Sequence, residues 1–476
     1  MSAAFKRLAV IAAVFCLAAG MAVAQDTQPA QGAQPAQGDQ ASTGDQGSPG
    51  PKQSPGFGFK MGLGLGVQTF NEPGPVTYQS LSLIPDFSYG KLGVGLALTV
   101  DYNFAGSGNS LNIRREDWWP TNEPVTFANV LAVYLPKIAY VRWGEKGDPL
   151  FIKLGSFDDA TLGDGFLVGD YNNTLFLPTE RHFGLQADLD GNLFNFPYVG
   201  MESVIGNMAQ FDVIGARVYA RPFVGTTIPI VNNMQVGLTL AADTNPYYHT
   251  QSALTLTAST LTAFDADVMV PLLYTKDVFS MLASTDFADI QGKTWGSMAG
   301  VGGRIINIFT YSAQLRYLGS GFTPTYFGPS YDALRDVQYQ AIQAASSSAY
   351  TFGGLISLGT SLLGDKLIFK VSFDSPFVTT ETDPILSRPH LNGILSLVPG
   401  VVPGFSFNFT YDKKAIGSLG DLVSAQNAAI QGQLNFQSGP AVISFIYFVT
   451  YDPAQTAITG SPWTVTSGLQ SSIALF

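Results

Sequence analysis

Apolar and polar residues alternate along most of this chain from Phe57 onward. In KLGVGLALTVDYNF (91–104), Leu92, Val94, Leu96, Leu98, Val100, Tyr102 and Phe104 share one parity, while Gly93, Gly95, Thr99, Asp101 and Asn103 share the other. Side chains switch faces at every residue of a strand, so this stretch predicts a β-strand with one apolar face. The period returns in PGFSFNFTYD, where Phe405, Phe407, Phe409 and Tyr411 oppose Ser406, Asn408, Thr410 and Asp412. It returns again in KLIFKVSFD, with Leu367, Phe369, Val371 and Phe373 on one side. Segments of about ten residues with this dyad pattern, separated by turn residues, are the signature of transmembrane β-strands. Threading the pattern gives twenty strands, from 57–70, 77–88 and 91–104 to 429–437, 441–451 and 463–476. The expected fold is all-β: a transmembrane antiparallel up-and-down barrel with an even strand number, about 16–20.

The connections support this. Those after even strands are short, including Tyr89-Gly90 and Lys146-Gly147-Asp148, and those after odd strands are mostly long. Short periplasmic turns opposite longer outer loops are the asymmetry expected of an outer-membrane barrel. A secreted β-sandwich also alternates, but its second face should be rich in charge. Here that face is mostly Gly, Ser, Thr, Asn and Gln. Charged residues make up only 12% of the chain, against roughly 25% in soluble proteins. The apolar face is therefore expected to meet lipid.

The first residues read as an export signal over 1–24: Lys6 and Arg7, an apolar run, then Ala22-Val23-Ala24. Cys16 is the one cysteine, so disulfides and thiol chemistry are excluded from the exported chain. Residues 25–56 are Gln, Pro, Ala and Gly with almost no large apolar residue, and predict a disordered periplasmic tether ahead of a barrel at 57–476. The net charge of −11 becomes more negative once Lys6 and Arg7 leave, which argues against a nucleic-acid partner.

The stretch KIAYVRWGEKGDPLFIKLGSFDDATLGDGF (137–166) resembles spirochaete-type outer-membrane β-barrel proteins, porin-like in kind. That resemblance implies a bacterial outer-membrane location. It also implies lipid and the barrel-assembly machinery as partners, with Phe476 as a terminal aromatic assembly signal. Removing Phe476, or replacing it with a charged residue, should lower the folded amount in the membrane.

Lumen positions in the threading include Arg142, Lys153, Arg217, Arg221, Arg316 and Lys370, which are expected to line a pore. Outward-running strands finish on aspartate: Asp101, Asp243, Asp286, Asp374, Asp412 and Asp452. Asp is a common turn initiator, but the clustering at one end suggests an acidic outer rim that attracts cations. Within 319–350, SYDALRDVQYQAIQAA predicts a short helix with Leu334, Val337, Ala341 and Ala344 on one stripe, capping the pore or folding into it. The glycine-rich loop 158–180 carries Asp158, Asp159, Asp164 and Asp170, and reads as a solvated surface loop, with a constriction loop as the alternative.

His182, His249 and His390 lie apart along the chain, and none sits near a serine in a nucleophile-elbow setting, so no enzyme is expected. No EF-hand spacing or phosphate-binding glycine motif appears, so neither a metal nor another cofactor is expected. The functional expectation is passive diffusion of small hydrophilic solutes or ions. The alternatives are a surface adhesin or ligand-binding barrel, and a channel for hydrophobic compounds.

Overall fold

The computed structural model describes residues 57–473 except 73, 106–109, 122–123, 178–179, 249–258, 276–277, 307, 346–349, 363–365, 378–388, 415, 424–427, 440 and 452–462. The signal 1–24, the tether 25–56, His249, Asp452 and Phe476 lie outside the described residues.

The chain opens with β1 (Phe57–Glu72), β2 (Gly74–Tyr89), β3 (Leu92–Leu96), β4 (Leu98–Ala105) and β5 (Ser110–Ile113). Next come β6 (Ile138–Trp143), β7 (Leu150–Gly155), β8 (Gly184–Asp190), β9 (Val199–Ile205), β10 (Val213–Ala220) and β11 (Gln235–Asp243). The middle strands are β12 (Leu261–Thr275), β13 (Phe279–Ile290), β14 (Thr294–Ile305), β15 (Phe309–Gly319), β16 (Tyr350–Leu362) and β17 (Leu367–Pro376). The last are β18 (His390–Val402), β19 (Phe405–Lys413), β20 (Ala428–Ser438), β21 (Ala441–Tyr451) and β22 (Trp463–Ile473).

All belong to one 22-stranded sheet. Pairing is antiparallel in every case and joins sequence neighbours, from β1 with β2 to β21 with β22, except around β3–β6, where β3 pairs with β6 and β4 with β2. The last strand, β22, lies alongside β1 and closes the sheet. Two of the 22 strands do not count as separate staves. β3 and β4 are one strand interrupted at Ala97, since both pair with β2, and β5 pairs only with β4 in a loop hairpin. Twenty staves remain among the described residues, an even number, as an up-and-down antiparallel closure requires.

The two faces differ as the alternation dictates. On β11, Gly237, Thr239, Ala241 and Asp243 are buried inward, while Val236, Leu238 and Leu240 are exposed outward. Leu65, Val218, Phe264, Leu315, Phe352 and Phe445 continue this apolar exterior. Water-facing patches on soluble monomers seldom exceed a few hundred Å². A belt of Leu, Val and Phe running round the sheet is far more apolar than that. Turns at one end are tight, such as Gly90 and Gly404, both with positive φ, where a side chain would be strained.

Gly155 marks the place where the chain leaves β7 and turns into the lumen. Its φ is +114°, and an added Cβ would strike the backbone carbonyl oxygen of Ala139. Gly147 also has positive φ (+93°) but open space around it. Gly155→Ala should therefore cut the yield of folded barrel sharply, through collision added to about 1–3 kcal/mol of backbone strain. Gly147→Ala should bring the strain alone. Heat-modifiable gel mobility of the two variants checks this ordering.

Candidate functional site: a lumen narrowed by two inward loops

The loop 156–183 does not stay in solvent. Phe157, Leu162, Phe166, Leu167, Val168 and Tyr171 are all buried, and they join Phe322, Tyr326, Phe327, Tyr331, Tyr339 and Ile342 from the 320–349 loop in one cluster. Val204, Val213, Ala241, Ala263, Ala288 and Ile290 are among the strand residues that join it, so both loops pack on the inner wall. Backbone hydrogen bonds tie the loops together, from the N–H of Phe327 to the carbonyl of Leu167 (3.0 Å) and from the N–H of Gly169 to the carbonyl of Phe327 (3.2 Å). The Phe166 and Phe322 rings stack at 5.6 Å. Reading 158–180 as a solvated surface loop is thus corrected. Its Phe166-Leu167-Val168 run is apolar enough to need burial, and the lumen supplies it.

The helix expected in the second loop spans Tyr331–Ala344, but its buried side is not the expected stripe. Leu334 is buried, whereas Val337 and Ala341 are half-buried and Ala344 is exposed. Tyr331, Arg335, Gln338, Tyr339 and Ile342 are buried instead. A helix inside a barrel meets a wall studded with carboxylates, so a polar residue there is better placed than valine. Arg335 makes the point. Its Nε and Nη2 donate to Asp243 at 3.0 and 2.7 Å, and its Nη1 donates to Asp212 at 2.9 Å. The Tyr331 hydroxyl donates to Asp243 at 2.7 Å. Asp332 accepts from the Tyr171 hydroxyl at 3.2 Å, and desolvation raises its pKa to about 6.

The acidic rim needs correction on the same ground. Asp101, Asp243, Asp286 and Asp412 are buried, and Asp374 is partly so. Asp101 accepts from Ser80. Asp243 is covered by the helix. Asp374 and Asp412 flank His390, whose Nδ1 lies 2.7 Å from Asp374. Asp243 and Asp412 hold the infolded 320–349 loop, Asp101 and Asp374 pair with side chains of the wall, and the five do not stand as an open ring in water. The Ser330 hydroxyl donates to Asp412.

The six basic residues separate into two sets. A cavity of about 1570 Å³ runs beside the loops, and Arg221, Arg316 and Lys370 line it. Arg142, Lys153 and Arg217 lie off this cavity. Arg142 and Lys153 face one another across β6 and β7. Arg217 is fully buried beneath Gly163 of the first loop. It is held bidentate by Asp267 (2.8 and 2.7 Å) and by Glu202 at 3.1 Å. Arg221 pairs with Asp190 at the short-turn end. Arg316 bonds Gln314 at 2.9 and 2.7 Å and reaches Asp374 at 3.4 Å.

Lys370, like Lys146 beside Asp159, reaches from the wall to the first loop. From the wall its Nζ comes within 3.6 Å of Asp170 on the infolded loop, and both side chains keep about a third of their surface in water. At that range the charges act well inside the screening length of about 8 Å at physiological salt. Lys370→Glu should move the reversal potential in a salt gradient toward cations. Restoring opposition with Asp170→Lys in the same chain should move it back.

No protein-family model matches this sequence, and no curated protein matches it. Solved outer-membrane proteins do align along most of its length. Pseudomonas aeruginosa OccK2 (OpdF) in complex with glucuronate aligns at 10% identity over 88% of this chain and 98% of that one, with a TM-score of 0.31. Pseudomonas aeruginosa OpdK with vanillate aligns at 12% identity over 88% and 98%, with a TM-score of 0.33. Acinetobacter baumannii OccAB1 aligns at 9% identity over 88% and 96%, with a TM-score of 0.31.

Proposed function

We propose that this chain is a porin-like channel of the bacterial outer membrane, of the kind its 137–166 stretch resembles, through which small hydrophilic solutes or ions diffuse passively. The observation that carries this reading is the cavity itself. Its lining runs from Lys146 and Arg304 at the short-turn end to Tyr350 and Lys414 at the long-loop end. Between them the wall carries Ser284, Thr310, Ser312, Gln314, Asn392, Asn408, Gln431 and Gln433, interleaved with apolar side chains such as Met281, Leu355, Ile394 and Phe407. Its hydroxyl and amide groups offer hydrogen-bond partners to a hydrated solute along the length of the passage. The two infolded loops leave a passage narrower than a bare barrel of this strand number, so exclusion of larger solutes follows from the same geometry.

The lipid, the assembly machinery and the periplasmic side of the tether belong to this proposal. Purified barrel in planar bilayers should give discrete ohmic conductance steps, and proteoliposomes should swell in small sugars but not in large ones. Folded, inserted protein that conducts nothing would sink the channel reading and leave the adhesin alternative standing.

A further inference from the structure

Beneath the tip of the first loop lies an excess of carboxyl groups. Asp265 and Asp267 of β12 and Asp286 of β13 face the lumen and are buried, with Asp286 directly opposite Asp267 in the strand register. Glu202 of β9 joins them across Arg217. The loop brings in Asp164, whose carboxyl comes within hydrogen-bond reach of Asp286. One guanidinium, that of Arg217, serves the whole group, and it is already committed to Asp267 and Glu202.

Other donors are few, and the Phe166 N–H and the Ser284 hydroxyl serve only Asp164. Both carboxyl oxygens of Asp286, Oδ1 of Asp265 and Oδ2 of Asp164 are buried without a hydrogen-bond partner. Two ionised carboxylates cannot touch in such a place. Each is an acceptor only, and like charges a few ångströms apart away from water repel strongly. A single proton turns one of them into a donor and the contact into a short hydrogen bond.

We propose that Asp164 and Asp286 share one proton, which holds the loop tip against the barrel wall, and that its loss releases the Asp164 carboxylate into the cavity. The proton leaves to solvent as its O–H bond breaks. The two carboxylates then repel, and the one on the loop is free to move. Asp164 already borders the cavity, so turning away from the wall carries it into water. Gly163 and Gly165, with φ of +63° and +89°, flank it as permissive joints. Burial pushes the Asp164 pKa upward from the ordinary carboxylate range. A raised acid stabilises the docked state below its unfolded pKa, and that contribution is lost as pH rises through the folded value. The other groups facing the pair are Ser284 on β13, Asp265 and Asp267 on β12, Arg217 on β10, Glu202 on β9 and, further off, Arg316 on β15.

This inference rests on the channel reading for its effect on permeation, but the shared proton has a signature of its own. The test follows the infrared band of protonated carboxyl groups and the cation-to-anion permeability ratio together, from about pH 4 to about pH 10. The expected result is a band that persists at neutral pH and is lost at alkaline pH, with the permeability ratio rising about twofold at the same midpoint. Asp164→Asn and Asp286→Asn should each remove that transition from both readouts, because the amide donates without titrating. The band is read on reconstituted protein, so it reports on the pair even if no channel conducts. Loss of conductance with the band intact would therefore count against the channel reading alone. A band and permeability ratio independent of pH in the wild type would overturn the shared proton. So would a chelator that reproduces the alkaline behaviour at about pH 6, which would assign the contact to a bound divalent cation.

Discussion

Arg335→Ala is expected to free the Tyr331–Ala344 helix from the barrel wall and raise single-channel conductance several-fold. The guanidinium sits among Asp243, Asp212 and Asp332, all of them buried. Removing it strands these carboxylates in a poorly hydrated place, and breaking a buried ion pair from one side costs about 3–5 kcal/mol. The apolar contacts of Phe327, Tyr339 and Ile342 remain, so the loop should sample released states and not disorder the barrel. The strands close without it.

Arg335→Lys should fall between the two, since an ammonium keeps the charge but cannot serve Asp243 through two parallel bonds. Proton uptake gives an independent check. Asp332 has its pKa raised to about 6, chiefly by desolvation, and Arg335 opposes that rise. Its neutral form is therefore the one that burial favours. Stability from this source is complete below the unfolded carboxylate pKa and is lost as pH rises through about 6. The alanine variant should accordingly be least open in acid and most open above neutrality. A conductance increase independent of pH would show that Asp332 plays no part in docking the helix.

How much of this was legible beforehand depended on what each residue faces. A strand between lipid and a wet lumen has two chemically opposite sides, so residues such as Leu238 and Leu240 against Thr239 and Asp243 announce both the strand and its orientation. The break at Ala97 left no trace, because the parity of Leu96 and Leu98 is unaltered while the hydrogen bonding changes partner. The inward course of the 158–180 loop is hidden in the sequence for a related reason. Glycine and aspartate in GDGFLVGD indicate turns, and that cue outweighed the apolar Phe166-Leu167-Val168 run between them. Periodicity also fails inside a barrel. A helix packed on a polar wall buries Arg335 and Gln338, which a search for apolar stripes passes over. Pairing was the least legible of all. Arg217 and Asp267 lie fifty residues apart, and nothing in either neighbourhood links them before the sheet is assembled.

That pairing sets the second large effect, which falls on stability more than on ion preference. Arg217 is fully buried, and its charge is answered by Asp267 and partly exposed Glu202. A permeating ion therefore meets little net field from it, in contrast with partly exposed Lys370. Arg217→Met should leave Asp267 buried and unpaired beside Asp265 and Asp286, at a cost of about 3–5 kcal/mol. The folded fraction in the membrane should drop steeply, and the surviving barrels should lose their heat resistance on gels. Pairing the change with Asp267→Leu removes the stranded charge along with its partner. Replacing both members of a buried ion pair by apolar groups of similar volume is often close to neutral. The double variant should thus recover much of the loss, falling short because Glu202 also leaned on the guanidinium. A thermal-unfolding cycle over the four proteins measures this coupling. If the single variant folds normally and only shifts the reversal potential, Arg217 faces the conducting path and the loop does not cover it.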